Sequence, residues 1–301
     1  MTLQYESIVK SDAARLTPML ESALLQPLSG GEAPKLLEAM RYSLEAGGKR
    51  VRPILCLLAA ESLGGAAESA LSCALALEYI HTYSLIHDDL PAMDDDDLRR
   101  GKPANHKVYG EGQAILAGDG LLTEAFGVLA RDQNLRPDQK AEAIQTLSEA
   151  AGRRGMVGGQ SLDLDGETLV RMGRPYDYQH LQLIHRLKTG ALLRASLELG
   201  AIAADADTKA RTTLREAGAA LGLAFQIRDD ILDATATTEA MGKRVGKDVE
   251  KSKITYPKLL GLDGAKKALQ EATERAVGHL QTTPNPASLI SWARFLSARV
   301  T

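Results

Sequence analysis

Aromatic residues are scarce in this chain: 3 Phe, 8 Tyr and 1 Trp among 301 positions, 4% in all. Strands favour aromatic and β-branched side chains. A core drawn from the 44% apolar residues, chiefly Leu, Ala, Ile and Val, therefore argues for helices and against a β-sandwich. Only two cysteines are present. Cys56 and Cys73 both lie in apolar helical contexts and read as small buried residues in a reducing compartment, not as a disulfide framework. Long apolar runs are missing: the longest, 54–60, falls far short of the roughly 20 residues a membrane-spanning helix needs. The opening stretch MTLQYESIVKSDAARLTPML has no basic region followed by an apolar block, so no signal peptide is expected. A net charge of −3 leaves no electrostatic footprint for nucleic acid. The expectation is a cytoplasmic protein without a membrane span and without a nucleic-acid partner.

What is present is helical periodicity along nearly the whole chain. Helices are expected near 5–25, 34–46, 51–63, 66–89, 113–131, 137–153, 177–200, 207–233, 256–260, 263–280 and 286–299. Breaks fall at Ser29-Gly30-Gly31, Gly47-Gly48, Gly64-Gly65, Arg136-Pro137, Gly173-Arg174-Pro175 and Pro284-Asn285-Pro286, where Gly and Pro interrupt the pattern. None of these is long enough for an interdomain linker, and no solenoid-length repeat occurs. The chain 1–301 reads as a single all-α domain.

The strongest local signal is DDLPAMD at 88–94, running through Asp97 into Arg99 and Arg100. Acidic runs are commonly solvated faces. This one follows an apolar helix, contains Pro91 and leads into arginines, and its aspartates repel one another unless cations sit among them. Carboxylates with room for waters suit Mg²⁺, which bridges a few carboxylates and substrate phosphates. A second cluster, DDILD at 229–233, sets Asp229 and Asp233 on one helix face, with Gln226 one turn before Asp229. Its neighbours are apolar, and buried carboxylates without partners are expensive. Two carboxylate helices across a cavity could share several Mg²⁺ ions with one polyanion. GGKRVRP at 47–53 joins a glycine turn to Lys49, Arg50 and Arg52; backbone amides and guanidinium forks suit phosphate, although alone the segment also suits a solvated loop. Lys243, Lys247 and Lys253 add positive charge near the second cluster. His81 lies on the face of Asp88, about 10 Å below it by helical rise; alone it suits core packing as well as a ligand. His87 reads as packing and Asp119 as a helix cap. No zinc spacing, Walker loop or G-x-S-x-G elbow occurs.

With these residues in view, the chain resembles the trans-prenyltransferase family, and within it the bacterial farnesyl diphosphate synthases. The motifs occur in family order: GGKRVRP at 47–53, DDLPAMD at 88–94 followed by RRGKP at 99–103, GGQSLDL at 158–164, KTG at 188–190, FQIRDDILD at 225–233 and GKDVEKSKITYP at 246–257. The resemblance implies an all-α bundle around a deep central cavity, normally a homodimer. It implies a Mg²⁺-dependent head-to-tail condensation of isopentenyl diphosphate with dimethylallyl or geranyl diphosphate. Asp88 and Asp94 would hold a pair of Mg²⁺ ions on the allylic diphosphate and Asp229 a further one, supported by Asp233, about three per site, with Mn²⁺ as a substitute. Arg99, Lys188 and Lys243 would grip the allylic diphosphate, with Lys253 close by. Gly48, Lys49, Arg52, His81 and Arg100 would bind isopentenyl diphosphate, which moves His81 to the ligand reading. The Lys188 carbonyl, the Thr189 hydroxyl and the Gln226 amide oxygen would face the carbocation. The product chain would descend along the helix before Asp88, past Ser84 to Tyr83, whose aromatic ring floors the pocket at farnesyl length; geranylgeranyl and geranyl products are the alternatives. A terpene cyclase would lack the intact second DDILD and the basic segment, and a non-catalytic partner subunit would normally lose one aspartate motif.

Overall fold

A computed structural model describes residues 2–174, 177–235 and 254–298. The apolar stripes of the sequence close into thirteen α-helices among the described residues. The first six are α1 (Thr2–Leu24), α2 (Pro34–Leu44), α3 (Val51–Ser62), α4 (Leu71–Asp88), α5 (Asn105–Tyr109) and α6 (Glu111–Arg131). There follow α7 (Pro137–Ala151), α8 (Met156–Arg171), α9 (Tyr178–His185), α10 (Ala191–Ala203), α11 (Thr208–Thr235), α12 (Tyr256–Leu280) and α13 (Ala287–Ala298). Within the described residues none is long and apolar enough to cross a membrane. The all-α expectation holds.

The helices α3, α4 and α10 are apolar nearly all round and form the centre of the core, as expected of helices with no solvent face. Full burial of one leucine there contributes about 1.5–3 kcal/mol. Tyr79, fully buried in α4, donates its hydroxyl to the Leu24 carbonyl at 2.6 Å, so its polar tip carries no desolvation penalty. Cys56 and Cys73 are buried and free, as expected. A second apolar cluster, around Leu181, Ala224, Ile227, Ile231 and Tyr256, packs beneath the 229–233 motif.

Several elements depart from the sequence reading. The helix α8 was not expected, because Gly158, Gly159 and Gly166 lower its helical propensity; tertiary packing overrides that. The expected helix 177–200 is two helices joined by a π-helical segment, Arg186–Gly190. A short antiparallel hairpin, β1 (Leu98–Arg99) with β2 (Lys102–Pro103), follows the first aspartate motif. Asp119 caps nothing: α6 runs through it without a break. The expected boundary between 256–260 and 263–280 is observed as a kink at Gly261, whose φ of 70° interrupts α12.

Candidate active site

The chain leaves α4 at Asp88 and folds back at once. The Asp94 amide donates to the Asp88 carbonyl at 2.8 Å, and Asp96 to the Asp89 carbonyl at 3.2 Å, so the turn returns Asp94 to the helix end. The two leading aspartates then go separate ways. Asp88 accepts from Gln160 Nε2 of α8 at 3.0 Å. Burial lifts its carboxyl to about 6, with Lys188 opposing and Asp94 adding to the rise. Asp89 turns inward, 2% exposed, where the Arg99 guanidinium clamps it, Nε donating at 2.9 Å and Nη2 adding a shorter contact. Asp96 takes a further bond from Arg99 at 3.3 Å. The hairpin β1–β2 is what swings Arg99 back over the motif.

The π-helical segment brings the next groups in. One extra residue per turn is a common device where side chains must be re-aimed. Here it is possible only because glycines line its neighbours: a Cβ on Gly159 of α8 would strike the Lys188 backbone nitrogen, and one on Gly222 of α11 would lie 2.7 Å from the Gly190 Cα. The result is that Lys188 Nζ reaches Asp163 of α8 at 2.7 Å, and Thr189 Oγ1 donates to Gln226 Oε1 at 2.8 Å.

On α11, Gln226 Nε2 donates to Asp230 at 3.1 Å. Asp229 is half-buried; burial raises its carboxyl, while its neighbour Arg228 and then Arg52 and Lys49 draw it back down. Arg228 itself is anchored on the Leu296 carbonyl at 2.6 Å. Asp233 is exposed on the last turn of the helix. Asp230 is 5% exposed, and burial raises its carboxyl to about 7.

The basic segment 47–53 is divided in the same manner. Arg50, in the left-handed region at φ 45°, turns into the core, where Glu78 Oε1 lies 2.5 Å from Nη1, Glu21 2.7 Å from Nε and the Leu44 carbonyl 2.6 Å from Nη2. The Arg100 guanidinium donates to the Gly47 carbonyl and packs on Gly48, where a Cβ would lie 2.7 Å from its Cζ. Burial lowers Arg52 and Arg100 below the ordinary guanidinium value, and Arg52 Nε has no hydrogen-bond partner among the described residues. Between them sits His81, held neutral by burial and then by Arg52, Arg100, Arg50 and Arg99. So many cations around a neutral imidazole call for an anion.

Tyr83 is 5% exposed. Burial and then the Asp88 charge push its phenol up to about 12, and its ring meets His87 edge-on at 5.7 Å. Ser84 returns its hydroxyl to the His81 carbonyl at 2.9 Å.

The structure thus joins Asp88 to Gln160 and Lys188, Thr189 to Gln226, and Asp229 to Arg52 and Lys49. Arg52 in turn neighbours Arg100 and His81. Lys243 and Lys253 lie outside the described residues. Sequence reasoning passed over Gln160, Asp163, Asp89, Asp230 and Arg228 as individuals, although Gln160 and Asp163 stand one helical turn apart inside the GGQSLDL motif it singled out. A cavity of about 1060 Å³ opens beside Gly48, Lys49, Phe225 and Arg228 and runs between α1, α12 and α13; neither aspartate motif lines it.

Among the described residues no group of three or more His, Cys, Asp or Glu forms a cage for a metal by itself. The turn that returns Asp94 to Asp88 fits Mg²⁺, which keeps several waters and takes one or two carboxylates together with substrate phosphates. Asp88 suits the role: a carboxyl raised by burial is stabilised as an anion by a cation beside it. Gln160 Oε1, buried and without a partner among the described residues, offers a polar atom for the ion's water shell.

Comparison with known proteins agrees. The polyprenyl synthetase family model matches residues 33–287. The farnesyl diphosphate synthase of Geobacillus stearothermophilus is 51% identical over 265 residues, covering 87% of this chain and 88% of that protein. Geranylgeranyl pyrophosphate synthase 9 of Arabidopsis thaliana, a chloroplast protein, is 44% identical over 300 residues, 97% of this chain and 80% of the relative. Among solved structures, an FPP/GFPP synthase from Zymomonas mobilis superposes with a TM-score of 0.84 at 37% identity over the full length of both chains. This chain belongs to the polyprenyl synthetase family.

Proposed function

We propose that the protein condenses isopentenyl diphosphate head-to-tail with dimethylallyl and then geranyl diphosphate, giving farnesyl diphosphate. Support comes from the pairing of two unlike environments: a half-buried Asp88 beside Lys188, and Arg52 and Arg100 around His81. The Thr189–Gln226 hydrogen bond adjoins the first of these, one residue after Lys188. On this reading one diphosphate is held with metal and the other by cations alone.

Lys188 and Arg99 hold the allylic diphosphate, Arg99 with the Nη1 that its bonds to Asp89 and Asp96 leave over; Lys243 and Lys253 belong to the same proposal. Gly48, Lys49, Arg52, Arg100 and His81 hold isopentenyl diphosphate, His81 through a ring N–H. Mg²⁺ at Asp88, Asp94 and Asp229, with Asp233 in support, would neutralise the diphosphate and act as a Lewis acid toward its departure. The allylic C–O bond breaks with its electron pair leaving on the diphosphate. The double bond of isopentenyl diphosphate then forms the new C–C bond, and the proton lost goes to the released diphosphate. The Lys188 carbonyl, the Thr189 hydroxyl oxygen and Gln226 Oε1 present fixed dipoles to the cation. Tyr83 and Ser84 close the lower end of the product channel. The proposal extends to a cytoplasmic homodimer in which residues 1–301 act as one domain.

The test is product length, with isopentenyl and dimethylallyl diphosphates and Mg²⁺, for wild type and Tyr83→Ala. Farnesyl from wild type and geranylgeranyl or longer from the variant are expected. A geranylgeranyl product from wild type would move the floor away from Tyr83; no product from either protein would favour a non-catalytic partner subunit.

A further inference from the structure

The 229–233 motif contains an aspartate that its neighbours already occupy. Asp230 points away from Asp229 into the second apolar cluster, and both of its oxygens are engaged. Oδ1 accepts from Gln226 Nε2 at 3.1 Å, and Oδ2 accepts from the Tyr256 backbone amide at 2.9 Å. His185 Nε2 lies 3.9 Å from Oδ1. Tyr256 is fully buried, stacked on the His185 ring at 5.6 Å and edge-on to Tyr178 at 5.6 Å. Asp230 is therefore held by α11, α9 and the first residue of α12 together.

A glutamine amide has a donor end and an acceptor end, and its neighbours decide which way it faces. A carboxylate accepts only. Both donors that reach Asp230, the Gln226 NH₂ and the Tyr256 amide, fall on its oxygens, and with the NH₂ so engaged the Gln226 Oε1 turns to Thr189. In the flipped amide two oxygens would face each other in a buried site, where an unmade bond costs about 1–3 kcal/mol. Thr189 uses one lone pair of Oε1 and leaves the other.

Building on the proposed prenyl transfer, we propose that Asp230 is a positioning residue: it fixes the polarity of the Gln226 amide, so that Oε1 and the Thr189 oxygen face the reacting carbon. Through the Tyr256 amide it also ties that polarity to the start of α12. Asp230 is then no metal ligand, and the motif's carboxylates divide between Asp229 and Asp233 on one side and Asp230 on the other.

Two measurements test this. In kinetics, Asp230→Asn should lower kcat roughly 10- to 100-fold, as misdirecting one preorganised dipole does. KM for both diphosphates and the half-saturating Mg²⁺ concentration should stay within about twofold. Asn can donate where Asp accepted, so Gln226→Glu in the Asp230→Asn background reverses the pair and should restore at least about tenfold of the loss. A shift of more than about fivefold in Mg²⁺ requirement, or no rescue by the reversed pair, overturns the proposal. In NMR of protein labelled with ¹⁵N-glutamine, the Gln226 side-chain amide, identified by its loss in Gln226→Glu, should exchange slowly in wild type and rapidly in Asp230→Asn. An unchanged Gln226 signal also overturns it. Because this reading needs no turnover, an inactive wild type with a protected Gln226 amide would sink the prenyl-transfer proposal and leave the contact standing.

Discussion

Glu78→Gln separates two roles that the basic segment combines. Arg50 is 3% exposed and Glu78 1%, and their 2.5 Å contact is screened by almost no water. Glutamine keeps a carbonyl oxygen for the same hydrogen bond, so the change removes charge and little else. Arg50 then retains only Glu21 as counterion, at 2.7 Å and with that side chain 42% exposed. Breaking a buried pair costs about 3–5 kcal/mol; with the hydrogen bond kept, the lower end, about 3 kcal/mol, applies. For 301 residues the unfolding entropy is on the order of 0.6 kcal/mol/K, so Tm should fall by about 5 °C. Glu78 is also the main opposing charge for the half-buried Arg52 and Arg100. Its neutralisation leaves a site hungrier for anions. Inorganic diphosphate without metal should therefore bind the variant roughly five- to tenfold more tightly, about 1 kcal/mol of one charge interaction. Differential scanning calorimetry at several diphosphate concentrations reads both effects. A Tm within about 1 °C of wild type, or weaker diphosphate binding, would refute the assignment of Arg50 as a charge-compensated fastener beside an anion site.

Further changes probe other contacts. Gly159→Ala places a Cβ against the Lys188 backbone; expected are a destabilisation of about 1–3 kcal/mol by denaturant unfolding and a loss of activity from the displaced π-helical segment. His81 is kept neutral in the folded state, so the unfolded chain binds the proton first. Stability should be full above the ordinary histidine value of 6.5 and fall as pH drops below it, by up to about 1.4 kcal/mol per pH unit. His81→Gln should flatten that slope in thermal melts between about pH 7.5 and 5.5. Removal of divalent metal by chelator should abolish turnover, with recovery on adding Mg²⁺. Asp88→Asn should then lower kcat by on the order of 100-fold or more and raise the Mg²⁺ requirement, whereas Asp89→Asn should chiefly lower Tm.

The fold was legible in the sequence where apolar periodicity was strong, and lost where packing overruled propensity. The buried stripes of α4 and α10 needed no structure to be seen. The helix α8 did, because its glycines lower propensity locally and are accommodated by contacts made far away in sequence, Gly159 against Lys188 above all. The π-helical turn at 186–190 carries no signal of its own; it exists because α8 and α11 crowd it from two sides. At the site, the motifs announced which segments converge, but not which member of each motif turns inward. Asp89 and Arg50 differ from Asp88 and Arg52 only in the direction they leave the backbone, and that direction is set by a left-handed residue in one case and a hairpin in the other.

That division has a consequence for reading charged motifs of this kind. In DDLPAMD the inward Asp89 is clamped by Arg99, and in DDILD the inward Asp230 takes Gln226 and the Tyr256 amide. In GGKRVRP the inward Arg50 takes Glu78 and Glu21. Each inward charge is satisfied by the protein itself, and so holds the segment at a fixed angle. The companions one or two positions away are less fully enclosed: Asp88 has Lys188 only at longer range, Asp229 has its neighbour Arg228 on one oxygen and keeps the other, and Arg52 lies among further cations. Such groups gain most from a ligand that brings the missing charge, since their solvation has already been lost in folding. A lone carboxylate on a flexible loop would be well hydrated and would gain little by comparison. The neighbouring fastener is thus what makes the binding charge strong: it keeps the segment folded tightly enough to strip water from its companion. Substituting a fastener should consequently lower Tm first, and substituting the companion should weaken binding with the fold intact.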